Sequence, residues 1–166
     1  MRLHDLPSYD IVGLTEVRAS SIKKYVDALS ASGNTFLSVN TATGGSDRIV
    51  LAYNTKRLQL LSGYEFHCFG DWLLNSQGAD GNWRHRSPLV GHFRDRESGV
   101  DFLVTVNHLA RGNENVRKRQ AGGLRKWAEA QSLPLLAIGD YNFDYDFHTK
   151  TGNQAFQLFT KDGAWK

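Results

Sequence analysis

With 166 residues, 40% of them hydrophobic, the chain has the size of one domain with a buried core, and it holds no apolar run of the ~20 residues a membrane-crossing helix needs. Its one cysteine, Cys68, excludes an internal disulfide and a multi-cysteine zinc site. The formal charge of +3 and pI of about 9.1 are mildly basic. The excess is local: RGNENVRKRQAGGLRK (111–126) carries Arg111, Arg117, Lys118, Arg119, Arg125 and Lys126 against Glu114 alone. That pattern suits an anionic partner such as a phosphate ester or nucleic acid, and equally a solvated helix face. Met1 runs straight into RLHDLPSYD, with no basic-then-apolar signal segment, and the compartment stays open.

In chain order, DIVGLTEV (10–17) starts as a buried strand with Glu16 near its end. SSIKKYVDALSAS follows, with Ser20 or Ser21 able to cap a helix and Ile22, Tyr25, Val26 and Leu29 at helical spacing. Residues 35–40 and 47–54 are expected as strands around TATGGS, and RLQLLS (57–62) as a third, all pairing antiparallel through short turns. The TATGGSD loop lacks the Gly-Lys-Ser/Thr ending of a phosphate-binding loop and reads as a flexible connection.

The stretch 63–86, with Tyr64, Phe66, Phe69, Trp72 and Trp83 among polar residues and glycines, reads as a long loop with a short helical piece. SPLVGHFRD (87–95) and VDFLVTVNHL (100–109) flank a turn and form a hairpin. Residues 114–132 are helical, with Val116, Gln120, Leu124 and Trp127 on one side; Gly122 and Gly123 weaken the helix by ~1 kcal/mol each relative to alanine. LPLLAIG (133–139) reads as a fully buried strand and GNQAFQLFTKDG (152–163) as a last short helix. Strands and helices mix throughout one domain spanning 1–166, which implies an α/β or α+β sandwich.

Glu16, Asn107–His108, Asp140 with Asn142, and Arg117 with Gln120 stand at strand ends or on the adjoining helix. Ligands collect beyond strand ends in open α/β sheets. A glutamate there is an oxygen ligand for a hard cation, and Mg²⁺ needs only one or two carboxylates beside water and phosphate oxygens. An aspartate can orient or deprotonate water, an asparagine can hold it, and a histidine can donate to a phosphoryl oxygen as charge builds. Together the set fits metal-assisted hydrolysis of a phosphate ester. Each residue also has a plain alternative: an exposed strand end for Glu16, a satisfied core histidine for His108, a turn for Asp140 and Asn142, loop contacts for Arg117 and Gln120. DYNFDYD (140–146) copies half an EF-hand loop, but Tyr145 and Thr151 stand where glycine and glutamate are needed, and a strand precedes it.

Four blocks then carry a resemblance. DIVGLTEV resembles the "DIIGLQEV" element of the endonuclease/exonuclease/phosphatase superfamily, and DRIVLAYNTKRLQLL its following strand pair. FLVTVNHLARG with RKRQ (117–120) resembles "f.vvNtHL…R..Q", and LPLLAIGDYNFD resembles "p.iv.GDfN". The resemblance implies a two-sheet sandwich flanked by helices and a divalent-metal phosphoesterase using Mg²⁺, with Mn²⁺ or Ca²⁺ as alternatives. It implies that Glu16 binds metal, that His108 contacts the scissile phosphate, and that Asp140 and Asn142 position and activate water. Arg117 and Gln120 support the site, and Asn107 has a lesser role. The threonine that usually precedes the histidine is absent, since Asn107 runs directly into His108. Only MRLHDLPSY precedes the first block, and the chain stops at DGAWK without the family's terminal Asp-His pair. The expectation is therefore a domain incomplete at both ends, with weak turnover or none. A non-catalytic module binding anionic ligands or nucleic acid is the alternative.

Overall fold

The structure, a computed structural model, describes residues 9–31, 33–75, 85–163 and 165. Strands β1 (Ile11–Arg18), β2 (Phe36–Asn40) and β3 (Asp47–Asn54) form an antiparallel sheet in the order β1-β3-β2. Strands β4 (Leu58–Glu65), β7 (Leu89–Asp95), β8 (Asp101–His108) and β9 (Leu135–Asp140) form a second sheet in the order β4-β7-β8-β9, antiparallel except for the parallel pair β8–β9. Strands β5 (Cys68–Phe69) and β6 (Trp72–Leu73) make a small ribbon.

Side-chain parity explains how the layers stack. On β3, Ile49, Leu51 and Tyr53 face the second sheet and meet Phe93, Val104 and Val106; Ala52 faces the other way, toward Leu29 of helix α1 (Ile22–Ser30). On β8, Val104 and Val106 face the first sheet, while Leu103 packs with Leu124 and Trp127 of helix α2 (Glu114–Glu129) and Phe159 of helix α3 (Gln154–Thr160). The result is a two-sheet sandwich with helices on both outer faces, the fold class the sequence implied. Asn113 and Asn153 cap α2 and α3 by accepting from Val116 N and from Ala155 N and Phe156 N. Ser21 precedes α1 but makes no side-chain cap bond, a 3-10 turn (Ala19–Ser21) leading in instead.

Several expectations need correction. The strand after β3 does not pair with it. The turn Thr55–Arg57 carries the chain across to the second sheet, where Arg96 N donates to Arg57 O and the Arg57 guanidinium binds Asp95 of β7. Short connections signal hairpins in sequence, but a sandwich corner is just as short. Within 63–86, β4 continues to Glu65 and the ribbon follows, with no helix among the described residues; 76–84, including Trp83, lie outside them. TATGGS is not a loose connection at its start: Thr41 and Thr43 are buried, and Glu65 accepts from Ala42 N and Thr43 N.

β9 is not fully buried, with Leu136 47% exposed, because it is the last strand in its sheet. Gly122 and Gly123 serve packing. A Cβ on Gly122 would lie 2.5 Å from Trp72 Cζ3 and one on Gly123 2.6 Å from Leu74 Cδ2, so the bare helix face seats the ribbon.

Candidate active site

Parity also sends the polar residues at the strand ends to different places. His108 shares the parity of Val104 and Val106 and emerges on the side facing the first sheet. Asp140 shares the parity of Ile138, which packs in the same inter-sheet core, and the register sets His108 directly opposite Asp140. The two strands come together closely here. Gly139, at φ +129°, would place a Cβ 2.1 Å from Asn107 O, so only glycine fits.

Glu16 reaches the same point from the first sheet. The β1–β3 register slips between Leu14 and Val17, and within this bulge Glu16 takes φ 58°. A bulge re-aims a side chain in this way. Gly13 lets β1 lie close to the second sheet, since a Cβ there would be 2.8 Å from Ile138 Cδ1 and 3.0 Å from Val106 Cγ1.

Three residues from distant segments therefore converge. His108 Nε2 lies 3.7 Å from Glu16 Oε1 and 3.9 Å from Asp140 Oδ2. The imidazole is buried, while the carboxylates are 69% and 52% exposed. They open on a cleft of about 290 Å³, lined also by His85, Arg86 and the loop from Leu109 to Asn113. Burial lowers the His108 pKa, and Arg86 adds to this, against the opposing pull of Asp140, Glu16 and Asp47. The ring is therefore neutral at pH 7. We assign its proton to Nε2, which faces the two carboxylates; Nδ1 is buried without a partner among the described residues.

The supporting residues hold this arrangement. Arg117 donates from NH1 to Ala110 O (3.0 Å) and Arg111 O (2.7 Å). Gln120 accepts from Ala110 N (2.9 Å) and donates to Leu74 O (2.9 Å). Both act on the cleft's loop and neither lines the cleft itself. Asn142 takes φ 49°, donates its backbone N–H to Asp140 Oδ1 (3.0 Å) and its side-chain amide to Leu109 O (2.9 Å). It fixes the Asp140 carboxylate from behind and is not part of the lining. Asn107 has the opposite parity to His108 and points away from the cleft, donating to Tyr141 Oη (2.9 Å) and accepting from Thr105 Oγ1 (3.2 Å).

Asp144 accepts from Asn153 (2.9 Å), and Asp146 caps a turn at His148 N (2.7 Å). Of the loop's aromatics, Tyr141 and Phe143 pack on the helical core, while Phe147 is 83% exposed.

Arg86 and His85 were not singled out from sequence. Arg86 NH2 donates to Asp47 Oδ2 (2.9 Å), and Gly44 leaves room for its chain, since a Cβ there would be 2.6 Å from Arg86 Cγ. The RHR run at 84–86 is the one signal that could have pointed to them, but it sits in a stretch without a motif.

The donor set fits a hard divalent cation. Glu16 and Asp140 present exposed carboxylate oxygens at one cleft, and Mg²⁺ takes one or two carboxylates with water and substrate oxygens. Among the described residues no group of three or more His, Cys, Asp or Glu side chains could by itself hold a metal ion, so Glu16, His108 and Asp140 do not make a three-ligand site and a cation here would need water and substrate oxygens. Nor is any described helix long and apolar enough to cross a membrane.

No protein-family model matches the chain, and no curated protein does. Solved structures do. The fold is that of endonuclease/exonuclease/phosphatase proteins. A Bacteroides thetaiotaomicron protein of that family superposes with a TM-score of 0.67 at 21% identity, over 93% of this chain and 55% of its own. The mannosyl-6-phosphatase Bt3783 of the same organism gives 0.66 at 18%, over 93% and 57%. Danio rerio TDP2, complexed with a single-strand DNA product, gives 0.57 at 20%, over 80% and 48%. The chain thus spans about half the length of these structures, and at such identities the likeness speaks for the fold.

Proposed function

We propose that the chain carries the catalytic core of a divalent-metal-dependent hydrolase of phosphate esters in the endonuclease/exonuclease/phosphatase superfamily. The observation that supports this most is the meeting of Glu16, His108 and Asp140 at one cleft, with His108 Nε2 3.7 and 3.9 Å from the two carboxylates. The fold neighbours, among them a phosphatase and a protein bound to a DNA product, fit the same chemistry.

Glu16 would hold the metal, and Mg²⁺ bound there would supply Lewis-acid stabilisation of the charge that grows on the phosphoryl oxygens. Asp140, its carboxylate braced by Asn142 N, orients the attacking water and accepts its proton. His108, neutral through burial, donates Nε2–H to a phosphoryl oxygen. Arg86, held by Asp47, adds a fixed positive charge to the same cleft. Arg117 and Gln120 keep the 109–113 loop at the distance this requires.

The test is turnover of bis(4-nitrophenyl) phosphate and of plasmid DNA with Mg²⁺, beside an Asp140→Ala variant and a chelator. Activity should fall ~10²–10⁴-fold in the variant and vanish with chelator. Ligand binding without any turnover would instead favour the non-catalytic anion-binding module.

A further inference from the structure

The basic segment 111–126 is divided by the fold. Arg117 turns inward to loop carbonyls, and Arg125 is buried against Glu129 and Asp162. Lys126 pairs with Glu129, and Lys118 with Glu114 while donating to Gln154. Arg111 lines the reaction cleft, while Lys118 and Arg119 line a second cleft of about 480 Å³ with Trp72, Asn113, Asn115, Val116 and Leu158. Asn113 lines both clefts, so one wall joins them. Arg119 is close enough to His85, on the reaction side, to help lower its pKa. Arg119 is exposed and has no carboxylate partner among the described residues.

We propose that the Trp72–Lys118–Arg119 groove holds the nucleotide next to the scissile phosphate of a single-stranded polynucleotide. The proposal rests on the phosphoesterase reading for which phosphate is scissile. A small phosphate ester is accommodated by the reaction cleft alone and has no use for a second, joined groove. A strand does: its next phosphate meets Lys118 and Arg119, and its base stacks on Trp72. Stacking on an aromatic face with cations along the backbone is how single strands are bound without sequence readout. Gly122 and Gly123 matter here too, because they seat Trp72 low on α2 as the groove's wall.

The experiment measures binding of a fluorescein-labelled oligo-dT by anisotropy across a salt series, in chelator, so that no turnover is needed. Lys118→Ala/Arg119→Ala should weaken binding about tenfold or more and flatten the slope of log affinity against log salt by ~0.7, the amount for the one single-strand phosphate the pair meets. The control Lys23→Ala/Lys24→Ala removes two exposed charges on α1 and should change affinity less than about twofold. Trp72→Phe, which keeps a ring against Gly122, should lose a share of the tryptophan quench seen on binding.

No measurable binding, a loss no larger than the control's, or an undiminished quench overturns the proposal. Turnover of bis(4-nitrophenyl) phosphate by the parent chain is scored separately. Turnover with oligonucleotide binding indifferent to Lys118 and Arg119 sinks the groove alone. Binding through the groove with no turnover sinks the phosphoesterase reading alone.

Discussion

Replacing Gly139 by alanine tests whether the close approach of β8 and β9 builds the cleft. The new Cβ would stand 2.1 Å from Asn107 O, 2.7 Å from Asn107 N and 2.9 Å from Asn107 C. These are backbone atoms of a buried strand, with no side-chain end to swing aside. Residue 139 also sits at φ +129°, a conformation that costs an L residue ~1–3 kcal/mol. Forcing a methyl into packed structure adds ~1–3 kcal/mol. The sum, ~2–6 kcal/mol, is a large part of a typical domain stability of ~5–15 kcal/mol. Because Gly139 pairs with Asn107 and Asp140 with His108, relief must come by parting the two strands at the site. Urea unfolding of parent and Gly139→Ala reads the cost as a lowered midpoint. Leu136→Ala, at a half-exposed position of the same strand, is the control and should cost far less. A Gly139→Ala protein within ~1 kcal/mol of the parent would refute the reasoning.

Gln120→Leu leaves Leu74 C=O without its partner in the interior, at ~1–3 kcal/mol, and frees Ala110 N–H at the half-buried cleft wall; the urea midpoint should fall accordingly, and a shift worth under ~1 kcal/mol would refute it. Asp47→Ala frees Arg86 from its 2.9 Å bond, and the KM for bis(4-nitrophenyl) phosphate should rise by roughly tenfold with kcat less affected; equal loss in both would contradict a binding role. His85 has its pKa lowered by burial, then by Arg119 and Arg86, below the ordinary 6.5. The unfolded chain therefore takes up this proton first as pH falls, so stability is intact above pH 6.5 and declines below it. His85→Gln should lose less stability than the parent between pH 7.5 and 5.5. Asp101 is held below the ordinary 3.8 by its bonds to Arg94, so its contribution is present above pH 3.8 and lost as pH falls through its lower folded value; Asp101→Asn should blunt acid unfolding below pH 4.

Much of the fold could be read from strand and helix patterns because those patterns are local. β3, the β7–β8 hairpin and α2 follow from continuous apolar runs and from the helical spacing of Val116, Gln120, Leu124 and Trp127. The partition of strands between sheets could not be read, since the Thr55–Arg57 corner is as short as a hairpin turn. Nor could the exposure of β9, because an apolar run records what a strand is made of and not whether it has a neighbour on each edge. Gly122 and Gly123 read as weaknesses when judged by helix propensity; their partners Trp72 and Leu74 lie far away in sequence. At the site, Glu16, His108 and Asp140 were visible through motif spelling. Arg86 was not, because it reaches the cleft from irregular chain with no periodicity to mark it.

The placement of Asn107 and His108 shows why one strand can serve two layers. Adjacent residues on β8 must face opposite sides. Asn107 therefore falls on the helix side, where its amide binds the Tyr141 hydroxyl in a core that also contains Phe159 and Trp127. His108 falls on the inter-sheet side, where Val104 and Val106 end and the interior opens to the cleft. The apolar slab behind the imidazole keeps it neutral, and the carboxylates ahead of it stand in water. Interactions made in such a place are stronger than in bulk solvent, because one side of the cleft has a low dielectric. Tyr141 follows Asp140 directly, so the Asn107–Tyr141 bond also anchors the chain just beyond the carboxylate. Displacing either neighbour would loosen both, which makes the alternation of β8 the physical link between the packing of α2 and α3 and the geometry of the cleft.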